Sequence, residues 1–189
     1  MVLLRCGAYG LGLLIVASGA NANNYTIDPA HTYPHFKISH LGFSTLHGRF
    51  NTTKGTLKMD IKKGVGEVDI VIDAASIDTG FQKRDEHLRS PDFLNVKEHP
   101  EIKFKSSKVT FKGENAATLE GSMTLMGISK PVSIQVEAIK CGMNPLSKKE
   151  TCGFDGSTKI KRSDFGVKFG LPNVGDEMAI SLEVEAIKN

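Results

Sequence analysis

A chain of 189 residues, 40% of them hydrophobic and 24% charged, is long enough for one domain with a real core, and nothing in it marks a second. The formal charge of +3 is scattered. Basic pairs such as Lys62-Lys63 and Lys148-Lys149 are isolated, whereas a nucleic-acid surface needs a basic face interleaved with aromatics, so no nucleic-acid partner is expected.

At the amino terminus a single cation, Arg5, precedes an apolar run from Gly7 to Gly19 and the small-residue end Ala20-Asn21-Ala22. That order is the pattern of a secretory signal peptide. Residues 1–22 are therefore read as a leader cleaved after Ala22, and 23–189 as the mature domain. The apolar run is shorter than the ~18 to 20 residues that cross a bilayer, so no membrane span is expected in the mature form.

Past the leader, apolar and polar residues alternate with period two, the signature of strands with one dry and one wet face. Phe36 and Ile38 alternate with His35, Lys37 and Ser39. Leu57, Met59 and Ile61 alternate with Thr56, Lys58 and Asp60, and Val68, Ile70 and Ile72 with Glu67, Asp69 and Asp73.

Between Asp73 and Pro100 the alternation stops. Asp78 or Thr79 is placed to cap a helix over about Phe81 to Arg89, in which Asp85 and Arg89 stand four apart. Ser90 and Pro91 then start a short turn through Phe93 and Leu94, and Pro100 ends it. This helical insert is expected to close one end of the sheet structure.

Alternation resumes with Ile102 and Phe104, then Val109 and Phe111, then Leu119, Met123 and Leu125, then Val132, Ile134 and Val136. It ends with Ile180, Leu182, Val184 and Ala186. Short turns at Lys63-Gly64-Val65-Gly66, Lys112-Gly113-Glu114-Asn115 and Met126-Gly127-Ile128-Ser129 link neighbouring runs, which requires antiparallel pairing.

Of three cysteines Cys6 leaves with the leader, and Cys141 and Cys152 remain, an even pair expected to form a disulfide in an oxidising compartment. All six histidines fall in the first hundred residues, but His31 and His35 on an extended strand are about 13 Å apart, too far to share an ion. No metal site and no cofactor is expected. No nucleophile elbow of the Gly-x-Ser-x-Gly type occurs, and Asp164-Phe165-Gly166 reads as a turn with Phe165 returning to the core. The insert's Arg84, Asp85, His87 and Arg89 suit a solvated helix, with recognition of a polar head group by Arg84, His87 and Arg89 as the functional alternative.

Several stretches resemble the YceI-like family of bacterial exported proteins. They are Tyr25-Thr26-Ile27-Asp28-Pro29-Ala30-His31, His40-Leu41-Gly42-Phe43-Ser44 with Gly48-Arg49-Phe50, Ser76-Ile77-Asp78-Thr79, and Arg84 through Leu94. Leu125-Met126-Gly127-Ile128-Ser129-Lys130-Pro131-Val132 and Asp164-Phe165-Gly166 complete the set. The resemblance spans nearly the whole mature chain. It implies an all-β fold, an extended eight-stranded antiparallel lipocalin-like barrel, located in the periplasm. It also implies a long-chain lipid ligand such as a polyisoprenoid, without known catalysis.

On that footing the cavity is expected to be lined by one strand parity, namely Phe36, Ile38, Leu57, Met59, Val68, Ile70, Phe104, Leu119, Met123, Leu125, Ile134, Val136, Leu182 and Val184. Phe93 and Leu94 of the insert join them. Gly48, Gly121 and Gly156 leave room for a tunnel, and strands of about nine residues give a barrel roughly 30 Å tall. An isoprenoid lipid or isoprenoid quinone is the expected occupant, and homodimerisation stays open. The rivals are an enzyme acting on an isoprenoid lipid and a stress-related interaction protein with a filled core.

Overall fold

The computed structural model describes residues 22–189, so the expected leader lies outside the described residues except for Ala22. Eleven strands follow. They are β1 (Asn23–Ile27), β2 (Tyr33–His40), β3 (Ser44–Phe50), β4 (Thr53–Asp60), β5 (Val65–Asp73) and β6 (Ile77–Asp78), then β7 (Glu101–Lys112), β8 (Ala116–Leu125), β9 (Ile128–Met143), β10 (Glu150–Lys161) and β11 (Val174–Lys188). One helix, α1 (Gln82–Arg89), stands between β6 and β7.

Pairing shows that some of these are halves of one wall strand. β1 lies between β11 and β4, while β2 lies between β11 and β3. β3 and β4 likewise pair in turn with β6 and β5. Counting β1 with β2, β3 with β4 and β5 with β6 leaves eight strands in sequence order, the last paired with the first. An even number lets that closing pair run antiparallel, so the meander becomes a barrel without a free edge.

Two bulges explain where the alternation changes phase. Ile102 and Phe104 sit at even positions and Val109 and Phe111 at odd ones, which in sequence reads as two separate runs. Both belong to the 12-residue β7, whose register with β8 shifts between Ser106 and Lys108. One extra residue flips every following side chain, so both sets face inward. The same device between β9 and β10, at Asp155/Gly156, hands the interior from Ile134 and Val136 to Ile139. From β7 to β11 every strand is also longer than nine residues. The 16-residue β9 spans roughly 50 Å at about 3.3 Å per residue.

The helix starts later than its expected cap. Asp78 is held in β6 opposite Arg49 and accepts from the Gly80 amide and from Asn51, so Phe81 takes the N-cap position with no side-chain cap. Nor do Asp85 and Arg89 pair. Buried Asp85 accepts from the Thr79 amide at 2.9 Å and from its hydroxyl, and Arg89 donates to the Ala75 and Ile77 carbonyls at 2.7 Å each. These bonds fasten the helix to β6 and the turn before it, because tertiary partners outcompete a solvated i,i+4 pair.

Phe165 returns to the core as expected, 2% exposed, at the end of a 3-10 turn over Arg162–Phe165 that Gly166 terminates at φ 83°. Arg162 is buried in the same corner and donates to the carbonyls of Gly175, Val167, Phe169 and Val174. Four backbone acceptors compensate its desolvation and tie the 166–173 loop to the end of the barrel. At the opposite end the Tyr25 hydroxyl donates to Glu150 at 2.8 Å, and Glu150 pairs with Lys188 at 3.0 Å. Cys141 and Cys152 are direct cross-strand partners there, joined Sγ to Sγ, with Cys152 wholly buried.

Candidate functional site

Inside the barrel runs a cavity of about 440 Å³. Its wall follows from the alternation. Each strand contributes its inward parity, the outward parity carries Lys, Glu, Asp, Ser and Thr, and the interior therefore holds almost no polar atoms. All fourteen strand residues named from the sequence line it, as do Phe93 and Leu94. The volume lies within the range of about 300–1,000 Å³ typical of small-molecule sites.

Two of the glycines expected to widen the tunnel do something else. Phe36 and Gly48 are cross-strand partners, and a Cβ on Gly48 would collide with the Phe36 ring. On Gly121 it would come within 2.7 Å of Phe104 Cζ. In both places ring atoms fill the space a side chain would take, so the glycine seats an aromatic wall residue instead of adding empty space. Gly156 does border the cavity.

One end is covered by the insert. Arg84, His87, Leu88, Phe93 and Leu94 face the cavity, and Phe169 reaches over from the loop between β10 and β11. The imidazole of His87 packs edge-on against Phe93 (5.0 Å between centroids) and Phe169 (5.1 Å), and Phe93 stands 5.2 Å from Phe169. Leu94 is more deeply set, 8% exposed beside Ile77, Ile102 and Leu125.

A family model described as the YceI-like domain matches residues 25–186, almost the whole described chain. The chain belongs to the YceI-like family. Relatives in the family include a UPF0312 protein of Pseudomonas aeruginosa strain LESB58, 39% identical over 96% of each chain. Another, of Vibrio parahaemolyticus, is 36% identical over 98% of this chain and all of its own. Among solved structures, Burkholderia cenocepacia BcnA superposes with a TM-score of 0.73 at 26% identity, covering 84% of this chain and 98% of its own. The Campylobacter jejuni YCEI protein gives 0.69 at 29% identity, covering 81% and 91%. A polyisoprenoid binding domain from Saccharophagus degradans shares the fold with a TM-score of 0.64 over 87% of this chain and 98% of its own; at 13% identity it speaks for the fold alone.

Within this YceI-like barrel the three residues expected at a polar head group separate. His87 and Arg84 border the cavity, whereas Arg89 does not and spends its guanidinium on backbone carbonyls. Arg84 is itself anchored, donating from Nε to the Thr79 hydroxyl and from a terminal nitrogen to the Thr79 carbonyl, both at 2.7 Å. His87 Nε2 meets Asp92 Oδ2 at 2.9 Å.

Sequence reasoning did not single out Thr53, Arg162 or Phe169. Thr53 is buried on the inward parity of β4, borders the cavity, and its hydroxyl has no hydrogen-bond partner among the described residues. Arg162 comes to the cavity from the 3-10 turn after β10 and Phe169 from the 166–173 loop, and neither segment carries a periodicity that would give a signal. Asp28, His31 and Glu185 gather on the outside of the barrel. Their charges satisfy one another. His31 sits 2.8 Å from Asp28, which raises the imidazole pKa and lowers that of the carboxylate, so the cluster is accounted for by ion pairing. Among the described residues no helix is long and apolar enough to cross a membrane.

Proposed function

We propose that this barrel holds one long-chain amphiphilic lipid, a polyisoprenoid or an isoprenoid quinone, and that it stores or carries the lipid in the periplasm without catalysing its conversion. The observation that carries the reading is the 440 Å³ cavity with a continuous apolar wall, which runs through the fold where a solid core would otherwise be. A tail that buries about 500 Å² gains on the order of 12 kcal/mol by transfer from water, less the costs of association and ordering, which is ample for stable retention. The cavity also speaks against an interaction protein with a filled core.

Export rests on the leader-like residues 1–22 and on the Cys141–Cys152 pair, whose bonded state belongs to an oxidising compartment. The polyisoprenoid binding domain from Saccharophagus degradans shares this fold.

Native mass spectrometry of the protein purified from its own host tests the proposal. The expected result is a mass excess that solvent extraction removes and that returns when a polyprenol or an isoprenoid quinone is added. A protein that is bare when purified and takes up neither lipid overturns it. Turnover of a bound lipid, lost on changing His87 or Arg84, would instead establish the enzymatic rival.

A further inference from the structure

Large apolar side chains stand in water around the insert end of the barrel. Phe43 is 89% exposed, Phe81 55%, Phe169 49% and Leu41 48%. They come from three separate segments that the fold brings to one end. Leu41 and Phe43 form the β2–β3 turn, where the Leu41 amide donates to the Asn173 carbonyl at 2.8 Å, so this turn abuts the loop that carries Phe169. Phe169 in turn packs on His87 of α1, whose first turn begins at Phe81. The same segments border the cavity through His40, Leu46, Arg84, His87 and Phe169.

The β2–β3 turn is not built for its own stability. Leu41 adopts φ 54° and is half exposed at a position where Asn or Gly is at ease, and Phe43 at the tip covers nothing. A non-glycine residue in this region, spent on presenting apolar side chains to solvent, points to a partner outside the molecule.

Charge beside the tips identifies that partner. Lys83 lies two residues after Phe81, and Lys168 precedes Phe169. Of the acids on these segments, Asp85 is buried against Thr79 and Asp92 meets His87, whereas Glu86, bonded to Gln82, and Asp164 are exposed. Aromatic tips at the mouth of an apolar cavity, two of them beside a lysine, fit an interface in which apolar groups enter acyl chains while Lys83 and Lys168 meet anionic head groups. A second copy of the chain fits less well. A stable dimer needs a flat complementary patch of about 800 Å² on each side, whereas these are separated projecting loops.

From this arrangement we infer that the rim formed by the β2–β3 turn, the start of α1 and the 166–173 loop docks onto an anionic lipid bilayer and sets the cavity against the membrane surface. The inference rests on the lipid-carrier reading for its purpose, but not for its test. A lipid moving between bilayer and barrel then crosses no open water, which lowers the barrier to exchange.

The experiment is co-sedimentation of the mature protein with vesicles of equal parts phosphatidylglycerol and phosphatidylcholine. A double variant, Phe43→Ser with Phe81→Ser, is compared with Met143→Ser with Leu146→Ser. The latter two residues are equally exposed, at 67% and 92%, but their hairpin between β9 and β10 does not border the cavity. Circular dichroism and uptake of a polyprenol from detergent confirm that each variant is folded and report the lipid-carrier reading separately. The rim variant is expected to lose vesicle affinity by at least about ten-fold while the hairpin variant binds as wild type. The inference is overturned if wild type does not sediment with vesicles, if the rim variant binds undiminished, or if the hairpin variant is the one that loses affinity. It is equally overturned if light scattering shows a wild-type dimer that the rim substitutions dissociate, since the rim is then an interface between copies.

Discussion

The imidazole of His87 stands edge-on to the ring of Phe169, 5.1 Å between centroids, and so joins the helical insert to a loop 80 residues further along the chain. Phe93 completes the triangle, and all three side chains border the cavity. Such a contact between two surface segments lies outside the barrel's own ladder, which makes it a site of low local stability.

Replacing Phe93 and Phe169 together by alanine should therefore speed release of a bound lipid while leaving the barrel folded. Stopped-flow transfer to acceptor vesicles checks the rate, since lost packing at a lid acts mainly on dissociation. Leu94→Ala should behave differently. Its side chain is buried against Ile77, Ile102 and Leu125, and truncation should cost about 2–4 kcal/mol in chemical denaturation. Release at the wild-type rate from a folded Phe93/Phe169 variant would remove the lid role.

Along β8 the two faces of one strand give a direct comparison. Met123 borders the cavity, while the Thr124 hydroxyl lies 2.7 Å from that of Ser129 on the outer face. Met123→Lys should abolish lipid retention or folding, because a cation in that wall has no partner. Thr124→Lys should change stability by under about 1 kcal/mol. Equal damage from both, measured by denaturation and bound-lipid mass, would refute the face assignment.

Thiol labelling of the unfolded, unreduced mature protein should find neither Cys141 nor Cys152 free. The crosslink spans 11 positions, and removing both cysteines should lower stability by about 2–3 kcal/mol, since a short loop regains its freedom in the unfolded chain. Two reactive thiols in protein purified without reductant would contradict the pairing.

Alkaline titration should single out Tyr25. Burial first, and then the hydrogen bond and charge of Glu150, push its phenol up to about 12 from an ordinary 10.0. The folded state thus holds this proton more tightly than the unfolded state. The stability this confers is complete below about pH 10 and is lost as pH rises through the folded value near 12. Phenolate absorbance should show a late-ionising tyrosine that disappears in Tyr25→Phe, and equal, ordinary titration of both mature tyrosines would exclude the Glu150 contact in solution.

What the sequence determined by itself is the parity. Alternation in β2, β4, β5 and β8 assigns each side chain to one face by geometry alone, so the residues of the cavity wall were legible before any contact was known. The helical insert was legible too, because its breakdown of period two and its Pro boundaries are local signals. Tertiary structure decided what local signals do not contain. The bulge at Ser106/Lys108 splits β7 into two apparent strands, and only the ladder with β8 shows them to be one. Whether Gly48 and Gly121 leave space or seat an aromatic ring depends on Phe36 and Phe104 across the sheet. Asp78 and Arg89 abandon a helix cap and an i,i+4 pair for β-strand partners that only the folded chain supplies. Phe169 reaches the cavity from a loop with no periodicity and Arg162 from the 3-10 turn before it, because their positions are set by rings and backbone carbonyls that meet only in the folded chain, and no pattern along the chain encodes such a meeting.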